Sequence, residues 1–145
     1  MGILDIKTLV KKMIKKYGTN NPFEIAHALG IWVYIVPLRN VKGNYMYAKR
    51  KKVFFINENL SEQQTLFCIA HELGHAILHT KSNVYFNNSN TFFNQSKHEI
   101  EADTFAAELL IDDNLLHEYE GFCLEVISNC EDIDFKYLKL KFNLN

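Results

Sequence analysis

Apolar residues recur along this chain at two different periods. Ile6, Leu9, Val10, Met13, Ile14 and Tyr17 fall at helical spacing and make one stripe, with Lys7, Lys11, Lys12, Lys15 and Lys16 on the opposite face. Asp5 is the expected cap of this helix and Gly18 its stop. Asn21-Pro22 opens a second, short helix, because proline is tolerated at a first helical position, and Gly30 ends it. The period then changes. Residues 31–36 read as a strand, and 45–48 with 53–56 as a hairpin pair about Lys49-Arg50-Lys51-Lys52. Helical spacing returns after Ser61, which forms a capping-box pair with Gln64 ahead of Leu66, Phe67, Ile69, Ala70, Leu73, Ala76 and Ile77. A helix this apolar is mostly buried. Another pattern covers 98–110, with Phe105, Leu109 and Leu110 apolar and small alanines at 102, 106 and 107. A last one holds Phe135, Leu138, Leu140 and Phe142 among lysines behind Asp134. These elements predict an α+β fold, a small, mostly antiparallel sheet of about three strands packed with helices. No repeat or linker-like break interrupts residues 1–145, which read as one domain.

Composition narrows the class. A chain of 145 residues that is 48% hydrophobic can bury a single core. Its net charge of −1 gives no electrostatic case for nucleic-acid or membrane partners, and the two lysine runs read as a solvated helix face and a hairpin tip. Cys68, Cys123 and Cys130 lack the spacing of a metal knuckle and are odd in number, which argues against a disulfide framework. No apolar run reaches membrane-spanning length, and the N-terminus lacks a signal-peptide core, so the expected compartment is the cytoplasm.

The candidate chemistry lies in His71-Glu72-Leu73-Gly74-His75. Positions i and i+4 of a helix project from one face a turn apart, so both imidazoles can give a nitrogen to one Zn²⁺. Glu72 sits about 100° further round, off the ligand face but close enough to reach a water carried by the metal. Histidines on a buried helix need partners, since an unpaired buried polar group costs about 1–3 kcal/mol. Catalytic zinc normally takes a third protein ligand. Glu99, Glu101 and Glu108 compete for that role on the helix that follows. Glu99 is preferred because Asp103, at i+4, can accept the outer N–H of a ligating histidine, and because Ala102 and Ala106 permit close approach. Glu101 points about 160° away from Asp103, and Leu109, Leu110 and Ile111 leave Glu108 little room.

His71-Glu72-x-x-His75 with Glu99-x-x-Ala102-Asp103 resembles the gluzincin metallopeptidase arrangement. More narrowly, the chain resembles the ImmA/IrrE family, in Glu24-Ile25-Ala26, Leu29-Gly30-Ile31, Phe55-Ile56-Asn57, Ile69 through His75 running to His79, and Glu99-x-x-Ala102-x-x-Phe105-Ala106. These stretches span about residues 20–112 in the family's order. The family commonly has a proline soon after Leu109-Leu110, where this chain has Asp112-Asp113-Asn114, and residues 113–145 are only loosely similar. The resemblance implies a zincin-like fold, zinc held by His71, His75 and Glu99, and Glu72 as general base. It also implies a cytoplasmic peptidase of phages and other mobile elements whose protein substrate is a helix-turn-helix repressor. The alternative is a catalytically inactive metal-binding module that acts by binding a repressor or another protein, although a purely structural zinc site has no need of Glu72.

The oxyanion donor and the role of the long connection stay open. Tyr45, Tyr47, His79 and His98 are all candidates to donate to the oxyanion, with His79 otherwise a partner or packing residue one turn beyond His75. The connection over residues 80–97, with Tyr85, Phe86, Phe92 and Phe93, reads either as a lid or as a loop anchored by its aromatics. Cys68, about 60° from His71 on the helix, reads as a small apolar neighbour of the site.

Overall fold

The computed structural model of the chain describes residues 2–79 and 92–144. Helix α1 spans Ile3–Tyr17 and buries Ile6, Val10 and Met13, while Lys11, Lys12, Lys15 and Lys16 are exposed. It starts three residues before the position expected from Asp5. The Asp5 carboxylate lies in the first turn and accepts from the Gly2 N–H at 3.3 Å, a role open to an acid there as well as at a cap. Helix α2, Pro22–Ala28, is capped by Asn21, whose side chain accepts from the Phe23 N–H at 2.9 Å. Gly30 follows with φ of 74°, the left-handed conformation that releases the chain into the sheet.

Strands β1 (Trp32–Val36), β2 (Gly43–Ala48) and β3 (Lys51–Asn57) form a three-stranded sheet in the order β1-β3-β2. β2 and β3 are antiparallel and reverse at Lys49 and Arg50, both with positive φ, the twist a two-residue hairpin needs. β1 pairs with β3 in parallel, Trp32 opposite Val53 and Ile35 opposite Ile56, so the sheet is mixed. Periodicity reveals strands but not their partners. The β1–β2 connection crosses the end of β3, where the buried Asn57 amide donates to Leu38 O at 2.6 Å and Val41 O at 3.0 Å. Phe54 and Ile56 of β3 are wholly buried and turn one sheet face to the helices.

Helix α3, Glu62–Leu78, begins with the expected capping box: Ser61 N donates to Gln64 Oε1 at 3.0 Å and Gln64 N to Ser61 Oγ at 3.1 Å. It packs between the sheet and α4, Phe92–Leu110. Part of the connection expected over 80–97 is therefore helix, since residues 92–97 belong to α4. Asn94, Gln95 and Ser96 offer no apolar stripe to mark that start, and residues 80–91 lie outside the described residues. Helices α5 (Leu115–Glu118), α6 (Leu124–Glu131) and α7 (Phe135–Phe142) follow. As expected, Asp134 caps α7, accepting from Lys136 N at 3.0 Å.

One core joins Ile6, Val10, Ile25, Phe54, Ile56, Ile69, Leu73, Phe105, Ile127 and Leu138, all essentially inaccessible to solvent. The α+β layering matches the expectation. Among the described residues no helix is long and apolar enough to cross a membrane.

Candidate metal centre

The two central helices approach closely because their facing residues are small. Gly74 of α3 lies against α4 so tightly that an added Cβ would stand 3.1 Å from Ala102 Cα and 3.2 Å from Ala102 O. Ala102 and Ala106 on the other side are fully buried. That approach brings His71 and His75, a turn apart on α3, against Glu99 and Asp103, a turn apart on α4.

The Glu99 carboxylate spans both imidazoles, with Oε2 3.1 Å from His71 Nε2 and Oε1 2.9 Å from His75 Nε2. The two Nε2 atoms are 3.2 Å apart, and the rings meet at 84°. Behind His71, Nδ1 lies 2.7 Å from Asp103 Oδ1. Glu101 is not in this group. Glu108 is also elsewhere, buried against Lys141 Nζ at 3.0 Å.

Ligand atoms about 2.0–2.1 Å from a tetrahedral ion stand roughly 3.3 Å from one another. The gaps here, 2.9, 3.1 and 3.2 Å, are close to that edge. Two neutral nitrogens and one carboxylate oxygen make a donor set suited to a first-row divalent cation. His71, His75 and Glu99 could therefore hold one, and with three protein donors a fourth position remains open.

The electrostatics fit a site built for a cation. Hydrogen bonds from His71 and His75 hold the Glu99 carboxyl well below the usual range. Burial pulls His71 down, but its bonds to Asp103 and Glu99 more than offset this and raise it to about 9. Glu72 is 7% exposed, and burial raises its carboxyl, against the pull of His71 and His75. A carboxylate so raised takes and returns a proton more readily near neutral pH. Burial, with Glu72 nearby, pushes the Cys68 thiol up to about 12, leaving it an inert packing residue beside Gly43.

His71, Glu72 and Glu99 open onto a cavity of about 370 Å³. Its walls also include Phe67 of α3, Lys42 and Gly43 at the entry to β2, Ser128 and Asn129 of α6, and Lys136 and Tyr137 of α7. None of the four expected oxyanion donors lines it. Tyr45 packs on Phe54, Tyr47 is half-exposed, and His79 stacks on His98 with centroids 3.9 Å apart. Tyr137 does line it, and nothing local in the sequence distinguishes that tyrosine from a core aromatic. Lys136 was equally hidden. Its Nζ lies 3.6 Å from Asp103 Oδ2, a contact made across 33 residues of chain.

A second cluster sits one turn beyond the first. His79 Nδ1 is 3.1 Å from His75 Nδ1, and His79 Nε2 is 3.6 Å from Glu101 Oε1. His79, His98 and Glu101 again offer ligand atoms of a kind that could chelate a cation.

A three-stranded sheet backing a helix pair, with two histidines and two carboxylates facing each other across it, defines the class as a metallopeptidase-like α+β domain. Residues 26–121 match the IrrE N-terminal-like domain of peptidase family M78, more than half of the chain, and the chain belongs to that family. It is 40% identical over 139 residues to uncharacterized immunity region protein 2 of Bacillus phage phi105, covering 94% of this chain and 88% of the relative. It is 36% identical over 129 residues to the metallopeptidase ImmA of Bacillus subtilis strain 168, covering 85% and 75%.

Proposed function

We propose that this chain is a zinc-dependent metallopeptidase of the cytoplasm that hydrolyses a peptide bond in a helix-turn-helix repressor, releasing the genes of a mobile element. The whole of residues 1–145 acts as one catalytic domain in this reading. The observation that carries it is the Glu99 carboxylate set across both Nε2 atoms, with Asp103 behind His71 and the buried Glu72 alongside. Family membership supports the peptidase chemistry, and the phage immunity-region relative supports the biological setting.

When bound, zinc supplies Lewis acidity, acidifying a water and polarising the scissile carbonyl. His71, His75 and Glu99 would hold it, and Asp103 would keep the His71 ring turned so that Nε2 faces the site. The Glu72 carboxylate takes a proton from the attacking water and returns it to the leaving amine. The cavity wall of Gly43, Phe67 and Tyr137 receives the substrate beside these groups.

The test co-expresses the chain with the repressor encoded beside it and seeks a discrete fragment by mass spectrometry. Wild type is expected to cut. Glu72→Gln is expected to keep about one zinc per chain and to lose activity by roughly 10²–10⁴-fold, the usual contribution of a general base. Purified wild type without stoichiometric metal overturns the reading. Repressor inactivation that survives Glu72→Gln without a fragment replaces it with the binding-module alternative.

A further inference from the structure

The two ligand histidines are held from behind in different ways. His71 has a carboxylate, Asp103, at its outer nitrogen. His75 has another imidazole, its Nδ1 lying 3.1 Å from Nδ1 of His79. We propose that His79 is a positioning residue for His75, accepting its Nδ1–H and fixing the ring that presents Nε2, while Glu101 and His98 hold His79 in turn. The inference rests on the metal-site reading above.

Counting protons sets the direction. A neutral imidazole has one N–H. If His75 gives Nε2 to a cation, its proton resides on Nδ1 and points at His79. His79 Nδ1 must then be the bare acceptor, so its own proton is on Nε2, which faces Glu101 Oε1 at 3.6 Å. The donation thus runs from His75 to His79, and the Glu101 carboxylate, too far for a hydrogen bond, acts on the His79 Nε2–H only by electrostatic attraction. His98 lies flat on the His79 ring at 3.9 Å and 24°, which fixes the plane of that ring. Because His98 and Glu101 belong to α4 and flank Glu99, these contacts also tie the C-terminal end of α3 to α4 beside the candidate ligand. His79 is 6% exposed, so water does not compete freely for its nitrogens.

The same three residues chelating a second cation is the competing use, and two observations count against it. A cation on His79 Nε2 places the His79 proton on Nδ1, head-on to the His75 Nδ1–H at 3.1 Å. The ligand pair His71 and His75 meets at 84°, whereas His79 and His98 are nearly parallel, so their lone pairs run side by side instead of converging.

The test compares zinc affinity, by chelator competition at fixed pH, in wild type, His79→Phe and His79→Gln. Phenylalanine keeps an aromatic ring over His98 but accepts nothing, and glutamine restores an acceptor oxygen. His79→Phe is expected to bind the single zinc about 10-fold more weakly or worse, the usual effect of losing a ligand's outer partner. His79→Gln is expected to recover most of that loss. Nitrogen NMR of the zinc-loaded wild type needs no variant and is expected to show His79 bare at Nδ1 and protonated at Nε2. Unchanged affinity in His79→Phe, failure of glutamine to differ from phenylalanine, or the opposite tautomer overturns the proposal. So does a wild type that binds two zinc ions, one of them lost in His79→Phe. A wild type without zinc removes the enzyme reading itself, an outcome seen before any variant is made.

Discussion

Gly74→Ala tests whether the site depends on how closely α3 and α4 approach. Two effects oppose each other. Alanine in a helix interior is favoured over glycine by about 1 kcal/mol. Against this, the new Cβ meets Ala102 Cα and Phe105 Cβ at 3.1 Å and Ala102 O at 3.2 Å, whereas ordinary contact begins near 3.4 Å. Two of these atoms are backbone and cannot rotate away, so α4 must retreat by a few tenths of an ångström. Overpacking of this kind costs about 1–3 kcal/mol. The net expectation is a metal-free protein between unchanged and about 2 kcal/mol less stable. The larger effect falls on the site. Glu99 and Asp103 flank Ala102 on α4, so a retreat widens the 2.9 and 3.1 Å gaps to the histidines and the 2.7 Å contact behind His71 together. Zinc affinity should fall by about 10–100-fold, comparable with loss of an orienting partner. Urea denaturation of the metal-free protein and chelator competition of the loaded one measure the two parts. A variant about 1 kcal/mol more stable, with zinc affinity unchanged, refutes the reasoning.

Two further outcomes follow from charges. Lys141→Met leaves Glu108, whose side chain is 5% exposed, without its cation, and unfolding experiments should show a loss of about 3–5 kcal/mol; Asp113, 58% exposed, also contacts Lys141, yet Asp113→Asn should cost under about 1 kcal/mol, and a tolerated Lys141→Met refutes the clasp. In the metal-free protein His71 is raised to about 9, so its contribution to stability is fully present below about 6.5 and is lost as pH rises through 9. A cation must displace that proton, so zinc affinity should climb with pH up to about 9 and calorimetry near pH 7 should register about one proton released; affinity that does not change with pH excludes this account.

What could be read from the sequence was what neighbouring residues decide. Ser61 and Gln64 start α3 by bonding to each other, and helical phase alone puts His71 and His75 on one face and Glu99 a turn from Asp103. The lysines of α1 are solvated because the stripe beside them takes all the buried positions. Contacts between distant residues left no such mark. The parallel pairing of β1 with β3 depends on where a connection crosses, which periodicity does not record. Lys141 looks like any lysine of an amphipathic helix, and its acidic partners, Glu108 and Asp113, lie 33 and 28 residues away. Helices α5 and α6 are short and carry too few apolar turns to stand out. Glu101 points away from Asp103, and the structure sets its carboxylate 3.6 Å from His79 at the end of α3.

The same logic gives residues 113–144 a role that their loose resemblance to the family left open. Helix α7 and Asp132, the residue that caps the C-terminal end of α6, meet α3 and α4 at several points. The Asp132 carboxylate accepts from Ser61 Oγ, the cap of α3, at 2.5 Å. The Tyr137 ring lies 4.6 Å from that of Phe67 on α3. Lys141 enters α4 at Glu108, and Lys136 reaches Asp103. The last contact is half-exposed, so its energy is small. Its consequence is geometric. Asp103 offers one oxygen to His71 and the other to Lys136, and a carboxylate held at both oxygens has little freedom to rotate away from the histidine it orients. The C-terminal helix thus forms a cavity wall and also holds the group behind a candidate ligand. A change at Lys136, far from His71 in sequence, is expected to reach the candidate site through one intervening side chain, Asp103.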